Sequence, residues 1–543
     1  MLRKVPLIVI LGSTGTGKTK LSLELAERFG GEIISADSMQ VYANLDIATA
    51  KATKEEQSRA KHHLLDVATP NEPFTVVSFR NAALPIIENL LAQNKCPIVV
   101  GGTNYYIESL LWDILVSPKD PNELDGMDNQ SGIDNQSGTS TSTVTTQKED
   151  PDVESGDGKN PLFLPQSEMS AMSSELLHNH LRKIDPDSAN RIHPNNKRKI
   201  MRAIEVYEQT GETLTAKLQA QRQQPGGNRL GGPLRYPHTI LFWLRCKQDV
   251  LNVRLDKRVD AMLEQGLLAE IRAFHNEHNI DKSQTDNSAA YTRGVLQTIG
   301  FKEFIPYLEQ FNAANDQKIE EYLRLNAYKM PTEEHFKAQK PSSINVTPVQ
   351  RHKQSQHICE RQSQQPPQQH DMHREIELEL EATTDGDTTT TCPPLPPGLE
   401  VLNACLNELK LVTQRYSKKQ IKWINNRFLA SKDRQVPDLY ELDTSDVKLW
   451  QAEVYERAVT VIESHRSGEV CEIQPMARRQ HPGAGLNEET SNFCEICQRH
   501  FIGEYQWHLH LKSNKHKKRR ESNKKKEKTK EIPLEAKTED TNV

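Results

Sequence analysis

Over the first hundred residues the apolar positions come in short unbroken runs, separated by segments with helical spacing. VPLIVIL (Val5–Leu11), GEIISA (Gly31–Ala36) and CPIVVGG (Cys96–Gly102) lack the strict alternation of a half-solvated sheet and predict strands buried on both faces. Between them, KLSLELAERF (Lys20–Phe29) and FRNAALPIIENLLAQ (Phe79–Gln93) repeat apolar residues every three or four positions and predict helices. Strands alternating with helices predict a parallel α/β sheet, with ligands at the C-terminal ends of its strands. Further on, Ser174–Asp185, Asn196–Gly211, Gln248–Glu277 and Asn403–Leu429 predict long helices, several with basic residues at helical spacing.

Two stretches lose this periodicity. One, from about Ser117 to Ser170, is rich in Asp, Ser, Thr and Asn and contains the near-repeat MDNQSG, IDNQSG (Met127–Gly138). The other runs from about Gln310 to Pro397, has no period after about Tyr328, and includes QSQQPPQQH and TTDGDTTTTCPPLPP. Both predict disordered loops that lengthened without disturbing a core. A mean hydropathy of −0.71 agrees that much of the 543-residue chain is not core. No window offers about 18 consecutive apolar residues, and Met1-Leu2-Arg3-Lys4 leads straight into the first strand. The expectation is a soluble intracellular protein without membrane span, signal peptide or ordinary transit peptide. Of eight cysteines only Cys494 and Cys497 form a close pair, which argues against a disulfide framework and for a metal site.

The first strand runs into Gly12-x4-Gly17-Lys18-Thr19. A strand, a Gly-rich turn and a helix in that order aim backbone N–H groups and a positive helix terminus at an anion, with Lys18 adding charge and Thr19 a magnesium ligand. The motif fixes a phosphate site but not the molecule that carries the phosphate. The strand CPIVV ends in Gly101-Gly102-Thr103-Asn104-Tyr105, with no carboxylate to organise a nucleotide-bound magnesium. The acid placed at a strand end is Asp37, in SADSMQVY. It reads either as an indirect magnesium holder in a small-molecule kinase or as a base that takes a proton from an incoming nucleophile.

Near the C-terminus stands Cys494-x2-Cys497-x12-His510-x5-His516, with Phe501, Trp507 and Leu509 as a miniature core. Two thiolates and two imidazoles at this spacing suit tetrahedral zinc in a module that folds only with it. Residues Leu511–Lys530 hold eleven Lys or Arg against two Glu. Such a run is a solvated tail or a contact for a polyanion, and Lys517-Lys518-Arg519-Arg520 suits RNA backbone or nuclear import.

In this order, GSTGTGKT, SADSMQVY, VVGGTNYY, RIHPNNKRKIMRAIEVYEQTG, GVLQTIGFKEF and TQRYSKKQIKWI resemble the motifs of the tRNA dimethylallyltransferases, the tRNA isopentenyltransferase family. The trailing finger resembles the eukaryotic branch. The resemblance covers about Pro6–Trp112, His178–Lys217, Pro237–Tyr307 and Asn403–Arg427. It implies a P-loop NTPase-like parallel sheet core, a helical insertion domain for tRNA and a small zinc finger. The implied reaction moves a dimethylallyl group from dimethylallyl diphosphate to the exocyclic amine of tRNA adenosine 37. The implied partner is the anticodon stem-loop, the implied metals are catalytic magnesium and structural zinc, and a monomer is expected. The expected location is the cytoplasm, with mitochondrial and nuclear fractions open.

The resemblance also implies roles for named residues. Gly12, Thr14, Gly15, Thr16, Gly17, Lys18 and Thr19 would hold the donor's diphosphate, with Arg254 and Arg258 as its arginine contacts. From spacing alone, those two are also a solvated helix face. Asp37 would be the base, Lys18 a stabiliser of the leaving group, and Thr103 a hydroxyl donor beside the bridging oxygen; Thr103 otherwise reads as a turn residue. Asp37, Ser38, Met39 and Gln40 would surround a flipped-out adenosine. Further tRNA contacts would come from Arg198, Lys199, Ile200, Met201, Arg202, Gln297, Gly300, Phe301, Lys302, Lys418, Lys419, Gln420, Lys422 and Trp423. Where the family usually reads Thr-Arg-Gln-Tyr-Ala-Lys-Arg-Gln, this chain reads Thr413-Gln414-Arg415-Tyr416-Ser417-Lys418-Lys419-Gln420, which leaves the contact of Arg415 open.

The expected organisation is a core at 1–112, an insertion domain at 113–196, further core at 197–308, a low-complexity insert at 309–399 and core helices at 400–470. A linker at 471–490, the finger at 491–520 and a disordered charged tail at 521–543 follow. Two other functions remain open at this level. A P-loop kinase would use ATP, and a noncatalytic RNA-binding protein would explain the finger and tail but give Lys18, Asp37 and Thr103 no reason to coexist.

Overall fold

The computed structural model describes residues 5–70, 72–114, 166–278, 294–338, 394–430, 434–479, 486–487 and 490–530. Most of both low-complexity stretches, including the near-repeat at 127–138, lies outside the described residues. The chain divides into one unit of residues 1–302 with 409–543 and a second of residues 303–408.

In the first unit the elements follow as β1 (Leu7–Gly12), α1 (Lys18–Phe29), β2 (Glu32–Ser35), α2 (Lys54–Arg59), β3 (His62–His63), α3 (Val76–Ala92), β4 (Pro97–Val100) and α4 (Asn104–Leu111). Next come α5 (Gln166–Ala171), α6 (Ser174–Ile184), α7 (Pro186–Arg191), α8 (Lys197–Thr210), α9 (Leu214–Gln223), β5 (Thr239–Arg245), α10 (Gln248–Glu264) and α11 (Leu267–Glu277). The long helix expected over Gln248–Glu277 is broken between α10 and α11, where Gly266 takes φ 98°, a left-handed conformation that a side chain disfavours. Strand β6 (Leu439–Asp443) completes the sheet, whose order β3-β2-β4-β1-β5-β6 is parallel throughout.

The unbroken apolar runs follow from burial on two sides. On β1, Leu7, Val9 and Leu11 join a core formed with α3, α4 and the residues around Ile424–Leu429. Ile8 and Ile10 join the opposite core, formed with α1 and the stretch Trp450–Ile462. At the start of β2, Glu32 accepts from His63 (2.7 Å), Lys95 (2.8 Å) and Lys61 (3.3 Å). Burial raises its carboxyl pKa, but the hydrogen bonds from Lys95, His63 and Lys61 outweigh that and hold it at about 2.

Helices α5 to α9 form a small core of their own, from Met169, Leu177, Leu181, Ala189, Ile192, Ile200, Ala203 and Ile204. The boundary expected at 196/197 falls inside it. Buried Asp185 joins α7 to α9 by accepting from the Ser188 amide, the Thr215 amide (both 2.9 Å) and the Thr215 hydroxyl (2.6 Å).

In the second unit, helices Ala313–Leu325 and Glu333–Ala338 lie in the region expected as an insert; the latter falls beyond Tyr328, where no period was legible. The Tyr307 hydroxyl donates to Asp316 at 2.6 Å. Helix Leu399–Ile424 spans the division between the units. At the C-terminus, β7 (Ser491–Cys494) pairs antiparallel with β8 (Arg499–Ile502) ahead of helix Glu504–Lys512. Helix Asn514–Lys530 follows, so the tail expected without structure from 521 is helical as far as Lys530. The six described cysteines are free, and no helix among the described residues is long and apolar enough to cross a membrane.

Candidate active site

The turn between β1 and α1 is a phosphate cradle by its backbone. Gly17, the N-cap of α1, has φ 88° and offers no side-chain cap, so the first amides of the helix are open to an anion. A Cβ on Gly17 would lie 2.8 Å from the Trp450 ring, which backs the turn. The Trp450 indole is itself held by Glu24 at 2.9 Å. Inside the turn, Lys18 Nζ and the Thr16 hydroxyl donate to the Ser13 carbonyl at 2.8 and 2.9 Å. Arg258, on α10, donates to the Thr14 hydroxyl at 3.1 Å.

Burial pushes the Lys18 ammonium pKa down to about 8, opposed by Asp37 and reinforced by Arg258. The Arg258 guanidinium is lowered by burial and supported by Asp37. Lys18, Arg258 and Asp37 thus form one electrostatic group. Arg254 does not join it: one turn earlier on α10, it donates to the carbonyls of Thr444 (2.6 Å) and Ser445 (2.9 Å) after β6. The expected second diphosphate arginine is therefore engaged elsewhere.

Asp37 and Thr103 meet where β2 and β4 end side by side. The Ala36 amide donates to Val100 and the Thr103 amide returns to Ala36 (2.8 and 3.1 Å). Asp37 Oδ1 accepts from the Met39 amide at 3.0 Å. The Thr103 hydroxyl accepts from the Ser38 amide at 2.9 Å and donates to the Ser38 hydroxyl at 3.0 Å. Tyr416, absent from the sequence expectation, donates to Gly102 O at 3.4 Å. Burial, then Asp37, raises its phenol pKa, while hydrogen bonding to Gln420 and Thr103 opposes the rise. The signal for Tyr416 was its place four residues before Gln420, on the same helix face.

Lys18, Arg258, Asp37, Ser38, Gly102 and Tyr416 line a cavity of about 650 Å³, and Thr103 is not part of its lining. Its walls include Thr14, Gly15, Gly17, Lys18, Thr19, Asp37, Ser38, Met39, Gln40, Arg258, Gln297, Lys302, Lys419 and Gln420. Gly12, Thr16, Gly300 and Phe301 stand behind this wall; Thr16 and Phe301 are buried. Gln40 is already engaged, accepting from Ser35 Oγ (3.0 Å) and donating to Thr49 O (3.4 Å) and Ala50 O (3.2 Å). The loop that supplies those carbonyls is clamped by two residues sequence reasoning missed. Buried Lys51 bonds Asp46 (2.6 Å) and Tyr42 O (3.0 Å), and Glu270 accepts from the Ile47 and Ala48 amides (both 2.8 Å).

The remaining expected RNA contacts differ in access. Arg198, Lys199, Lys418, Lys419 and Lys422 are exposed, and Met201, Arg202 and Trp423 are half-buried. Ile200 is fully buried in the α5–α9 core. Gln420 is buried too. In the departing motif Gln414 donates to Asp256 at 2.8 Å, while Arg415 is exposed.

In the finger, the ligand atoms of Cys494, Cys497, His510 and His516 lie within 4.8 Å of one another. His516 Nδ1 stands 3.6 Å from each sulfur and 3.1 Å from His510 Nε2. A tetrahedron with zinc–ligand distances of about 2.0–2.3 Å has edges of about 3.3–3.8 Å. The four residues fit structural zinc.

The family model described as IPP transferase matches residues 40–339, and one described as isopentenyl transferase matches residues 5–72. Residues 491–517 match the model of a zinc-finger double-stranded RNA-binding family. A tRNA dimethylallyltransferase of Mus musculus is 36% identical, over 95% of this chain and 87% of its own. The tRNA dimethylallyltransferase of Schizosaccharomyces pombe is 29% identical over 94% of both chains. A crystal structure of a eukaryotic dimethylallyltransferase acting on tRNA covers 97% of this chain and 99% of its own, with 23% identity and a TM-score of 0.60, a likeness of fold. With its phosphate cradle, its paired Asp37–Thr103 turn and these matches along nearly its whole length, the chain belongs to the IPP transferase family, that of the tRNA dimethylallyltransferases.

Proposed function

We propose that this protein transfers a dimethylallyl group from dimethylallyl diphosphate to the exocyclic amine of tRNA adenosine 37, giving N6-dimethylallyladenosine and diphosphate. The observation that carries this reading is the charge of the cavity. Among the described residues, Lys18, Arg258, Lys302 and Lys419 line it against a single carboxylate, Asp37, with Leu255, Val259 and Met262 as an apolar wall. Excess cation, hydrocarbon surface and one carboxylate suit a diphosphate ester with a short apolar tail.

Adenine's exocyclic amine is a poor nucleophile because its lone pair is delocalised into the ring. In this reading a flipped-out adenosine reaches the cavity beside Asp37. The nitrogen bonds to the allylic carbon as the C–O bond to diphosphate breaks. That bond's electron pair leaves with diphosphate, and the amine proton passes to Asp37. Lys18, Arg258 and the open amides of α1 meet the growing charge and stabilise the transition state more than the ground state. The Thr103 hydroxyl, given to Ser38 in the free protein, turns to the bridging oxygen.

Magnesium is part of the proposal. The Thr19 hydroxyl, in the cavity wall, is the kind of hard oxygen donor that would hold it. Bound at Thr19, it would supply charge neutralisation to the leaving group.

The test is transfer of label from dimethylallyl diphosphate into tRNA by purified protein without ATP. Label at N6 of adenosine 37 is expected. Dependence on ATP, with no label from the diphosphate donor, would favour a kinase.

A further inference from the structure

Gln420 joins two parts of the site that the sequence keeps far apart. Its Oε1 accepts from the Thr14 amide in the phosphate turn at 2.9 Å, across 406 residues. Its Nε2 donates to the Gly102 carbonyl at 2.9 Å, across 318 residues. The residue is 4% exposed; its bond to Gly102 is buried and its bond to Thr14 is partly buried. Its backbone is fixed as well, since Asn104 Nδ2 donates to Gln420 O at 3.3 Å. Thr14 is therefore gripped from two sides, at its amide by Gln420 and at its hydroxyl by Arg258 (3.1 Å). Gly102 precedes Thr103, the hydroxyl beside Asp37.

We propose that Gln420 is a positioning residue that sets the donor-phosphate turn against the Gly101–Thr103 turn, and that it does not read RNA. Each polar atom of its amide already has a partner, so the amide plane is turned toward the two site loops, and a base reached by its remaining hydrogen or lone pair would have to fit beside those bonds. Its neighbours Lys418 and Lys422 are exposed and outside the cavity wall, whereas Gln420 belongs to that wall, so on this helix the outward-facing cations and the site-facing amide are different residues. A glutamine suits the post because one side chain must accept from an amide and donate to a carbonyl, which neither a carboxylate nor an ammonium does. The inference rests on the transfer reading for its meaning, but its binding arm does not need turnover.

The experiment compares wild type with Gln420→Met, which keeps the side-chain length and loses both bonds, and Gln420→Glu, which keeps only the acceptor. Three quantities are read: affinity for inorganic diphosphate with magnesium, affinity for tRNA, and single-turnover transfer at saturating substrates. Thermal unfolding controls for folding. For Gln420→Met a loss of about tenfold or more in both diphosphate affinity and single-turnover rate is expected, with tRNA affinity within about threefold. Gln420→Glu should not rescue, because its second oxygen faces the Gly102 carbonyl. A folded Gln420→Met with weakened tRNA affinity and unchanged diphosphate affinity would overturn the proposal and make Gln420 an RNA contact. Unchanged values for all three would also overturn it while leaving the transfer reading intact. Failure of wild type to transfer would instead strike that reading, and the diphosphate arm would still report on Gln420.

Discussion

The Met39 amide donates to Asp37 Oδ1 at 3.0 Å, which pins one carboxylate oxygen, while Oδ2 lies beside Gly102. Asparagine can keep the Met39 bond but cannot take a proton. Asp37→Asn should therefore lower single-turnover transfer by about 10²- to 10⁴-fold and leave tRNA affinity within about tenfold. A rate near that of wild type would remove Asp37 from the role of base.

Adjacent glycines separate folding from chemistry. A Cβ on Gly101 would lie 2.1 Å from Ala36 O, a backbone atom that cannot swing aside. On Gly102 it would lie 2.7 Å from Gln420 Nε2 and 3.0 Å from Asp37 Oδ2, both side-chain atoms. Gly101→Ala should cost about 3 kcal/mol or more of stability by forcing strands β2 and β4 apart. Gly102→Ala should fold nearly normally and lose transfer activity. Denaturant unfolding and turnover of both variants check this, and equal stability loss would erase the distinction.

The low carboxyl pKa of Glu32 makes its contribution depend on pH. Its folded value of about 2 lies below the ordinary 4.5, so the stabilisation is full above 4.5 and is lost as pH falls through 2. Lys61 and Lys95 are 67% and 46% exposed, which screens the effect. Glu32→Gln should cost about 1–3 kcal/mol at pH 7. The gap from wild type should narrow as pH drops from 4.5 toward 2, and a gap constant over that range would contradict the assignment.

Truncation before Asn487 removes the finger and its basic helix but no residue of the cavity. Single-turnover transfer at saturating tRNA should persist, while tRNA binding weakens and its salt dependence flattens as phosphate contacts are lost. Cys494→Ser should behave alike, because three ligands cannot hold so small a module. Unchanged affinity and salt slope after truncation would assign the finger to another partner; a collapsed rate would make it part of the catalytic body.

Legibility in the sequence followed locality. The phosphate turn, Asp37 and the first three buried strands were readable because each is a run of neighbouring residues with a strong pattern. Strand β6, LYELD, is short and half polar, and pairs only because β5 offers it an edge. Arg254 and Arg258 show the limit of spacing: four residues apart share a face, but one reaches Thr14 and the other caps the turn after β6. Gln420 carried no sign of its partners, which lie hundreds of residues away. The clamp residues Lys51 and Glu270 were invisible for the same reason.

The late position of β6 has a consequence for the newborn chain. Its partner β5 ends at Arg245 and β6 begins at Leu439, so the ribosome needs roughly 10–40 s to make the intervening segment at about 5–20 residues per second. Throughout that interval β5 carries an uncovered apolar edge, a template for pairing with the wrong strand. Trp450, the brace behind Gly17, is made later still. A chain halted at 430 would hold every residue of the phosphate turn yet lack the support that shapes it, and its β5 edge would stay open to a wrong strand or to a chaperone.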